Sequence, residues 1–339
     1  MYSVVPTSYA LAGKCKHRSK TARSKAPLWA PFFVEGNLTL ATDGWDTFWS
    51  SATSDEVLVA ADGQRNSTLD RFWREQLEQV AADARVIDVA CGAGSVARQI
   101  VQTPALCVGV DLSINALSRL DQPEQGITPV AADSSSLPFP GQCFDFVFSQ
   151  FGVEYAGIPG VLECSRILVP GGVLKFLAHC KDSSIQKSVA SDLLNVNLTL
   201  SSNFFPAAIK LAQALSSGEQ DQINAAAEVF NPAEQEVRSE AKIVPDNFAG
   251  YTYLGFQKLL RQWEQHEPED VISWLNAMRH EAESAAARLT TMQSAALDDE
   301  ALKEINQALS EAGLPLLEKR EVASVETNML LAWELSQCQ

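Results

Sequence analysis

The chain has 339 residues, 46% hydrophobic and 20% charged, with a formal net charge of −16; this supports at least one full-sized core, has length for two domains, and excludes a disordered polymer. No run of about eighteen uncharged apolar residues occurs, and the N-terminus lacks the apolar stretch and cleavage site of a secretory signal, so a cytoplasmic protein with no membrane partner is expected. The seven cysteines are odd in number and form no C-x-x-C pair, which indicates neither a disulfide framework nor a zinc site.

Residues 1–34 form a basic tail, expected to be disordered, with six Lys/Arg and no acid. The remaining body carries 20 basic against 42 acidic residues and so repels phosphate backbones, which argues against a nucleic-acid partner. The tail segment KCKHRSKTARSK itself reads as a solvated extension, as an Arg/Ser-rich transit segment, or as a nucleic-acid arm. Residues 35–82 read as an N-terminal helical extension. An aromatic-rich stretch (Trp29, Phe32, Phe33, Trp45, Phe48, Trp49) leads to the capping run Asn66-Ser67-Thr68. Leu69, Phe72, Trp73, Leu77 and Val80 then recur at helical spacing, predicting an amphipathic helix packed on a sheet edge.

Between 83 and 182 the pattern changes to short apolar runs separated by helices. The predicted strands are Val86 to Val89, Cys107 to Val110, Thr128 to Ala131, Phe144 to Ser149 and Val173 to Ala178, too apolar for surface elements and suited to a parallel sheet covered on both faces. Residues 183–290 read as a helical insert, with helix-forming segments at 205–216, 246–263 and 269–288 and Pro268 at a helix start. A helix near 298–312 and an antiparallel hairpin, Leu314 to Val325 with Asn328 to Leu335, complete the core over residues 291–339. The fold class is therefore α/β: a Rossmann-like seven-stranded, mostly parallel sheet with an antiparallel terminal strand and a helical cap after the fifth strand.

The first strand runs straight into Ala90-Cys91-Gly92-Ala93-Gly94-Ser95 and a helix start. Glycines there let backbone amides approach a ligand, and the helix N-terminus favours negative charge. Gly92-Ala93-Gly94-Ser95-Val96-Ala97 also fits the dinucleotide pattern G-x-G-x-x-A, and Asp111, closing the second strand, would bind ribose under either reading. Asp88 discriminates. A carboxylate at that strand end faces a pyrophosphate unfavourably but suits a cofactor bearing an ammonium and a sulfonium.

VIDVACGAG resembles the first motif of the class I S-adenosylmethionine-dependent methyltransferases, with Ala90 where a glycine is usual. Ala132-Asp133 with Leu137-Pro138-Phe139, then Phe144 to Val147, then Arg166 to Gly172, are similar to that family's later segments, in the same order. The resemblance implies S-adenosylmethionine as cofactor. Asp88, Ala90, Gly92 and Gly94 would hold its methionine end and Asp111 its ribose; Asp133 and the Ser134 amide would hold the adenine, with Leu112 and Leu137 against the base. Ser149 and Gln150 would face the methionine portion. The implied activity is methyl transfer to an O, N or C nucleophile of a small molecule. The alternatives are a protein methyltransferase, a non-catalytic cofactor-binding module and, from the dinucleotide pattern, a nicotinamide-dependent oxidoreductase.

Strand carboxyl ends border the crevice of such folds, so Phe151, Glu154, Tyr155 and His179 are the acceptor-side candidates. His179 suits a hydrogen-bonded structural role or a general base; Glu154 suits orienting a cationic substrate, proton transfer or a helix cap; Tyr155 suits a pocket wall or plain packing. Among the insert's aromatics, Tyr251, Tyr253, Phe256, Trp263 and Trp274 are mostly core, with one or two available to roof a substrate. A homodimer is the competing use of the insert. No divalent-ligand spacing occurs near the fourth strand, so no metal is expected.

Overall fold

A computed structural model describes residues 41–52, 66–100, 106–120, 126–243 and 247–337. The basic tail and the aromatics Trp29, Phe32 and Phe33 lie outside these residues. In chain order the elements are α1 (Ala41–Ser51), α2 (Ser67–Leu77), β1 (Arg85–Val89), α3 (Ala97–Ile100), β2 (Leu106–Asp111), α4 (Ile114–Leu117), β3 (Ile127–Ala131) and β4 (Phe144–Gln150). A 3-10 turn, Val153–Ala156, leads into α5 (Gly157–Ile167) and β5 (Leu168–Ala178). Then follow α6 (Ser184–Ser201), α7 (Phe204–Ser217), α8 (Gln220–Ile243), α9 (Phe248–Arg261), α10 (Pro268–Ala295), α11 (Asp299–Glu311), β6 (Leu317–Ala323) and β7 (Leu330–Gln337).

The seven strands form one sheet in the order β3-β2-β1-β4-β5-β7-β6. The first five pair in parallel, while β7 is antiparallel to both β5 and β6. Parallel strands need crossovers and are buried on both faces, which is why β1 is apolar apart from Asp88 once past Arg85. The order reverses between β1 and β4, and that switch point opens a crevice beyond the strands' carboxyl ends.

Three expectations need adjustment. The capped helix forms as α2, with the Asn66 side chain accepting from the amides of Thr68 and Leu69. It lies over the middle of the sheet and not along an edge, because Trp73, fully buried, packs against Phe148 of the central strand β4 at 5.5 Å. The fifth strand begins at Leu168, earlier than expected, through a register shift opposite Phe144–Phe146 that absorbs Pro170 and the left-handed Gly171. The hairpin turn spans 324–329 and not two residues: the Ser324 hydroxyl accepts from the amides of Glu326 and Thr327, and Asn328 takes a positive φ of 55°.

The helices α6 to α10 leave the sheet after β5 and return at the same place. The Leu297 amide donates to the His179 carbonyl, and the Lys181 amide donates to the Leu297 carbonyl, each at 2.9 Å. One apolar cluster runs without a break from Trp73, Val86 and Phe148 at the sheet to Phe204, Phe256, Leu275 and Met292 in these helices.

Candidate active site

The turn after β1 is built by backbone conformations that side chains resist. Ala90, Gly92 and Gly94 all have positive φ, at 53°, 55° and 84°. A Cβ on Gly92 would lie 2.8 Å from the Trp49 indole of α1, and one on Gly94 would strike Leu120 at 2.2 Å, so both glycines are also demanded by close approach. Ala90 stands where its methyl faces Gly152; a Cβ on Gly152 would meet the Ala90 Cβ at 2.4 Å. The alanine in the turn is thus accommodated by a glycine just after β4.

Three carboxylates stand at consecutive strand ends. Asp88, 1% exposed, accepts from the Ala97 amide at 2.9 Å through Oδ2, while Oδ1 is buried with no partner. Burial, opposed by that amide and reinforced by Asp111, pushes its carboxyl up to about 8. Asp111 is partly accessible and accepts from the Gly92 amide at 2.7 Å and the Ser113 amide at 2.8 Å; desolvation raises it, and these amides resist the rise. Asp133 accepts from both the amide and hydroxyl of Ser135 at 2.8 Å, with half-buried Ser134 between them. Leu112, just after β2, is 42% exposed, whereas Leu137 is packed in the core. At the end of β4, Ser149 is fully buried and its hydroxyl accepts from the Val153 amide at 3.0 Å, while Gln150 reaches back to Ser95 at 3.1 Å.

This donor set fits S-adenosylmethionine. A carboxylate held against its own ionisation, with an unpartnered oxygen, is stabilised by a nearby cation such as the ammonium or sulfonium of that cofactor.

The acceptor-side candidates are brought together. Phe151, itself at φ 53°, stacks on His179 with ring centroids 4.5 Å apart, and Tyr155 meets the same imidazole edge-on at 6.1 Å. The Glu154 carboxylate accepts from the His179 amide at 2.9 Å. Glu154 Oε2, the Tyr155 hydroxyl and His179 Nδ1 are all buried with no partner. Burial alone takes His179 down to about 3; it takes Glu154 up to about 7 against the pull of the His179 amide, and it sends the Tyr155 phenol well up. The imidazole is therefore neutral and the carboxyl poised near neutrality.

Several residues at the site had no sequence signal that placed them there. In α1, Trp45 meets Tyr155 edge-on at 5.9 Å, and the Asp46 carboxylate accepts from the Ser113 hydroxyl at 2.7 Å and the Asn115 side-chain amide at 2.8 Å. Arg288 of α10, 2% exposed, lies over the rings of Trp45 and Phe48 at 5.8 and 4.7 Å. Asp192 of α6 is raised to about 6 by burial, with Arg288 opposing. The aromatic run at 45–49 was visible in the sequence, but its target was not. Among the described residues no three His, Cys, Asp or Glu side chains are grouped to hold a metal.

Residues 87–176 match the family model described as a methyltransferase domain. Together with the switch-point crevice and its carboxylates, this places the domain in the class I S-adenosylmethionine-dependent methyltransferases. Among curated proteins, the chain is 33% identical over 110 residues to a demethylmenaquinone methyltransferase of Mycobacterium sp. (strain KMS), spanning 31% of this chain and 47% of that one. It is 32% identical over 102 residues to a malonyl-[acyl-carrier protein] O-methyltransferase of Enterobacter lignolyticus, spanning 30% and 41%. The chain thus spans about half the length of the curated relatives it matches. A crystal structure of an S-adenosylmethionine dependent methyltransferase from Mesorhizobium loti is 27% identical, covering 34% of this chain and 56% of that one at a TM-score of 0.32.

Proposed function

We propose that this chain transfers a methyl group to an O, N or C nucleophile of a small molecule. The observation that carries the reading is the placement of Glu154, Tyr155 and His179, with three buried and unpartnered polar atoms, beside the crevice in which Asp88, Asp111 and Asp133 line up. Buried polar groups are nearly always satisfied, so a polar molecule belongs against these. S-adenosylmethionine supplies the sulfonium methyl. Asp88, Ala90, Gly92 and Gly94 hold the methionine end, Asp111 the ribose, and Asp133 with Ser134 the adenine; Leu112 covers the base, and Ser149 and Gln150 border the methionine portion. Glu154, near 7, takes the proton released by the acceptor, and neutral His179 orients the acceptor through its unpartnered Nδ1. Trp45, Arg288 and the insert at 183–290 close the acceptor side and exclude water, so that most of the acceleration comes from positioning.

The two curated relatives are named for unlike acceptors, demethylmenaquinone and a malonyl carrier protein, so their names do not select one for this chain. Five described cysteines are unpaired and no described helix is long and apolar enough to cross a membrane, which supports a cytoplasmic setting as part of the same proposal. The test is incubation with methyl-labelled cofactor and a fractionated metabolite extract, read by mass spectrometry. Label should enter a low-molecular-weight fraction and survive a chelator. Label confined to protein, or none despite bound S-adenosylhomocysteine, would replace this reading by protein methylation or by cofactor binding without transfer.

A further inference from the structure

Trp73 lies in the N-terminal extension, one element before β1 and its glycine turn, and a chain of two hydrogen bonds joins it to that turn. The Trp73 indole N–H donates to the Gln150 Oε1 at 2.5 Å, and the Gln150 side-chain amide donates to the Ser95 hydroxyl at 3.1 Å. An indole nitrogen only donates. It therefore fixes which way the Gln150 carboxamide faces: oxygen toward α2, NH2 toward Ser95. The reverse orientation would set two donors against each other in a part-buried place. Trp73 itself is fully buried, clamped edge-on between Phe72 at 5.1 Å and Phe148 at 5.5 Å, so the donor has no freedom to turn. Ser95 immediately follows Gly94, and Gln150 closes β4, so the bond between them ties the glycine turn to the neighbouring strand end across the switch point.

We infer that Trp73 is a positioning residue for the methionine end of the cofactor, acting through Gln150 on Ser95. The inference rests on the cofactor placement given above. It assigns a share of cofactor recognition to the extension helix, outside the matched methyltransferase segment at 87–176.

The test compares two ligands in calorimetry: S-adenosylhomocysteine, which has the amino-acid end, and adenosine, which lacks it. Trp73→Phe keeps a ring against Phe148 and removes the N–H. It should weaken S-adenosylhomocysteine by about 3- to 10-fold, the worth of one hydrogen bond, and leave adenosine unchanged. Ser95→Ala should reproduce that selective loss, and the double variant should lose no more than either single one. If Trp73→Phe does not fold, Ser95→Ala with the same two ligands carries the comparison. Unchanged S-adenosylhomocysteine affinity, or equal weakening of both ligands, would reduce Trp73 to a packing residue and overturn the inference. Failure of the unaltered chain to bind either ligand would instead remove the cofactor placement on which the inference rests, and the inference with it.

Discussion

Glu154 carries a sign that can be measured. Its folded carboxyl titrates near 7 against an ordinary 4.5, so between those values the folded chain holds a proton that the unfolded chain has released. Stability from this group is therefore full at low pH and is lost as pH rises through the window, amounting to about 3 kcal/mol by pH 8. His179 runs the other way: its folded value near 3 lies below the ordinary 6.5, so its contribution is lost as pH falls below 6.5. Glu154→Gln keeps an acceptor for the His179 amide and cannot ionise, and His179 is common to both proteins. The variant should match the parent in Tm near pH 4.5 and exceed it by a few degrees at pH 8. Identical Tm profiles would mean that Glu154 titrates as an exposed acid. At this scale the sequence was legible where one short motif holds all the parts, as from Asp88 to Gly94, or where a strand ends in an acid, as at Asp111. It showed Trp49 and Trp73 only as an aromatic run and a helix face, without their targets, and it was silent on Arg288. Each reaches the site from a helix outside the motif, and its spacing is that of ordinary core.

Among the elements, α1 has the most to do with the crevice. Its Trp49 covers Gly92, its Asp46 accepts from the Ser113 hydroxyl that caps α4, and its Phe48 and Trp49 share an apolar cluster with Ala93 and Ala116. An eleven-residue helix is marginal alone. These contacts must hold it. Trp49→Ala removes the largest of them, and hydrogen exchange should then speed up at least tenfold across 44–52 while the amides of β1 and β4 keep their protection. Equal exchange in both proteins would show that α1 is held from elsewhere, by Arg288 above all. The same dependence on packing explains which helices could be delimited in the sequence. The segments 205–216 and 269–288 carry clean apolar periodicity and fall inside α7 and α10. By contrast α6 buries Gln186, Asn195 and Thr199, and α8 has Pro232 within it, so in both the pattern is diluted.

Across the whole molecule the insert and the sheet share one apolar cluster, so they should not melt apart. Urea unfolding followed by far-ultraviolet circular dichroism and by fluorescence should give one coincident transition. Two separated transitions would make the helices an autonomous domain and weaken the view of them as part of the site. The fold class was readable because buried parallel strands announce themselves as short apolar runs. The length of the hairpin turn was not, since Ser324 and Asn328 define it by hydrogen bonds that leave no periodic trace. The strand order has a further consequence for how the molecule is made. The strand β7 is synthesised after every other strand, yet it fills a gap between β5 and β6 and not an outer position. Until it emerges from the ribosome, about 150 residues after β5, the nascent sheet ends on an apolar β5 whose backbone groups lack that partner. Vectorial synthesis therefore leaves an intermediate with an open, sticky edge that only the last strand closes.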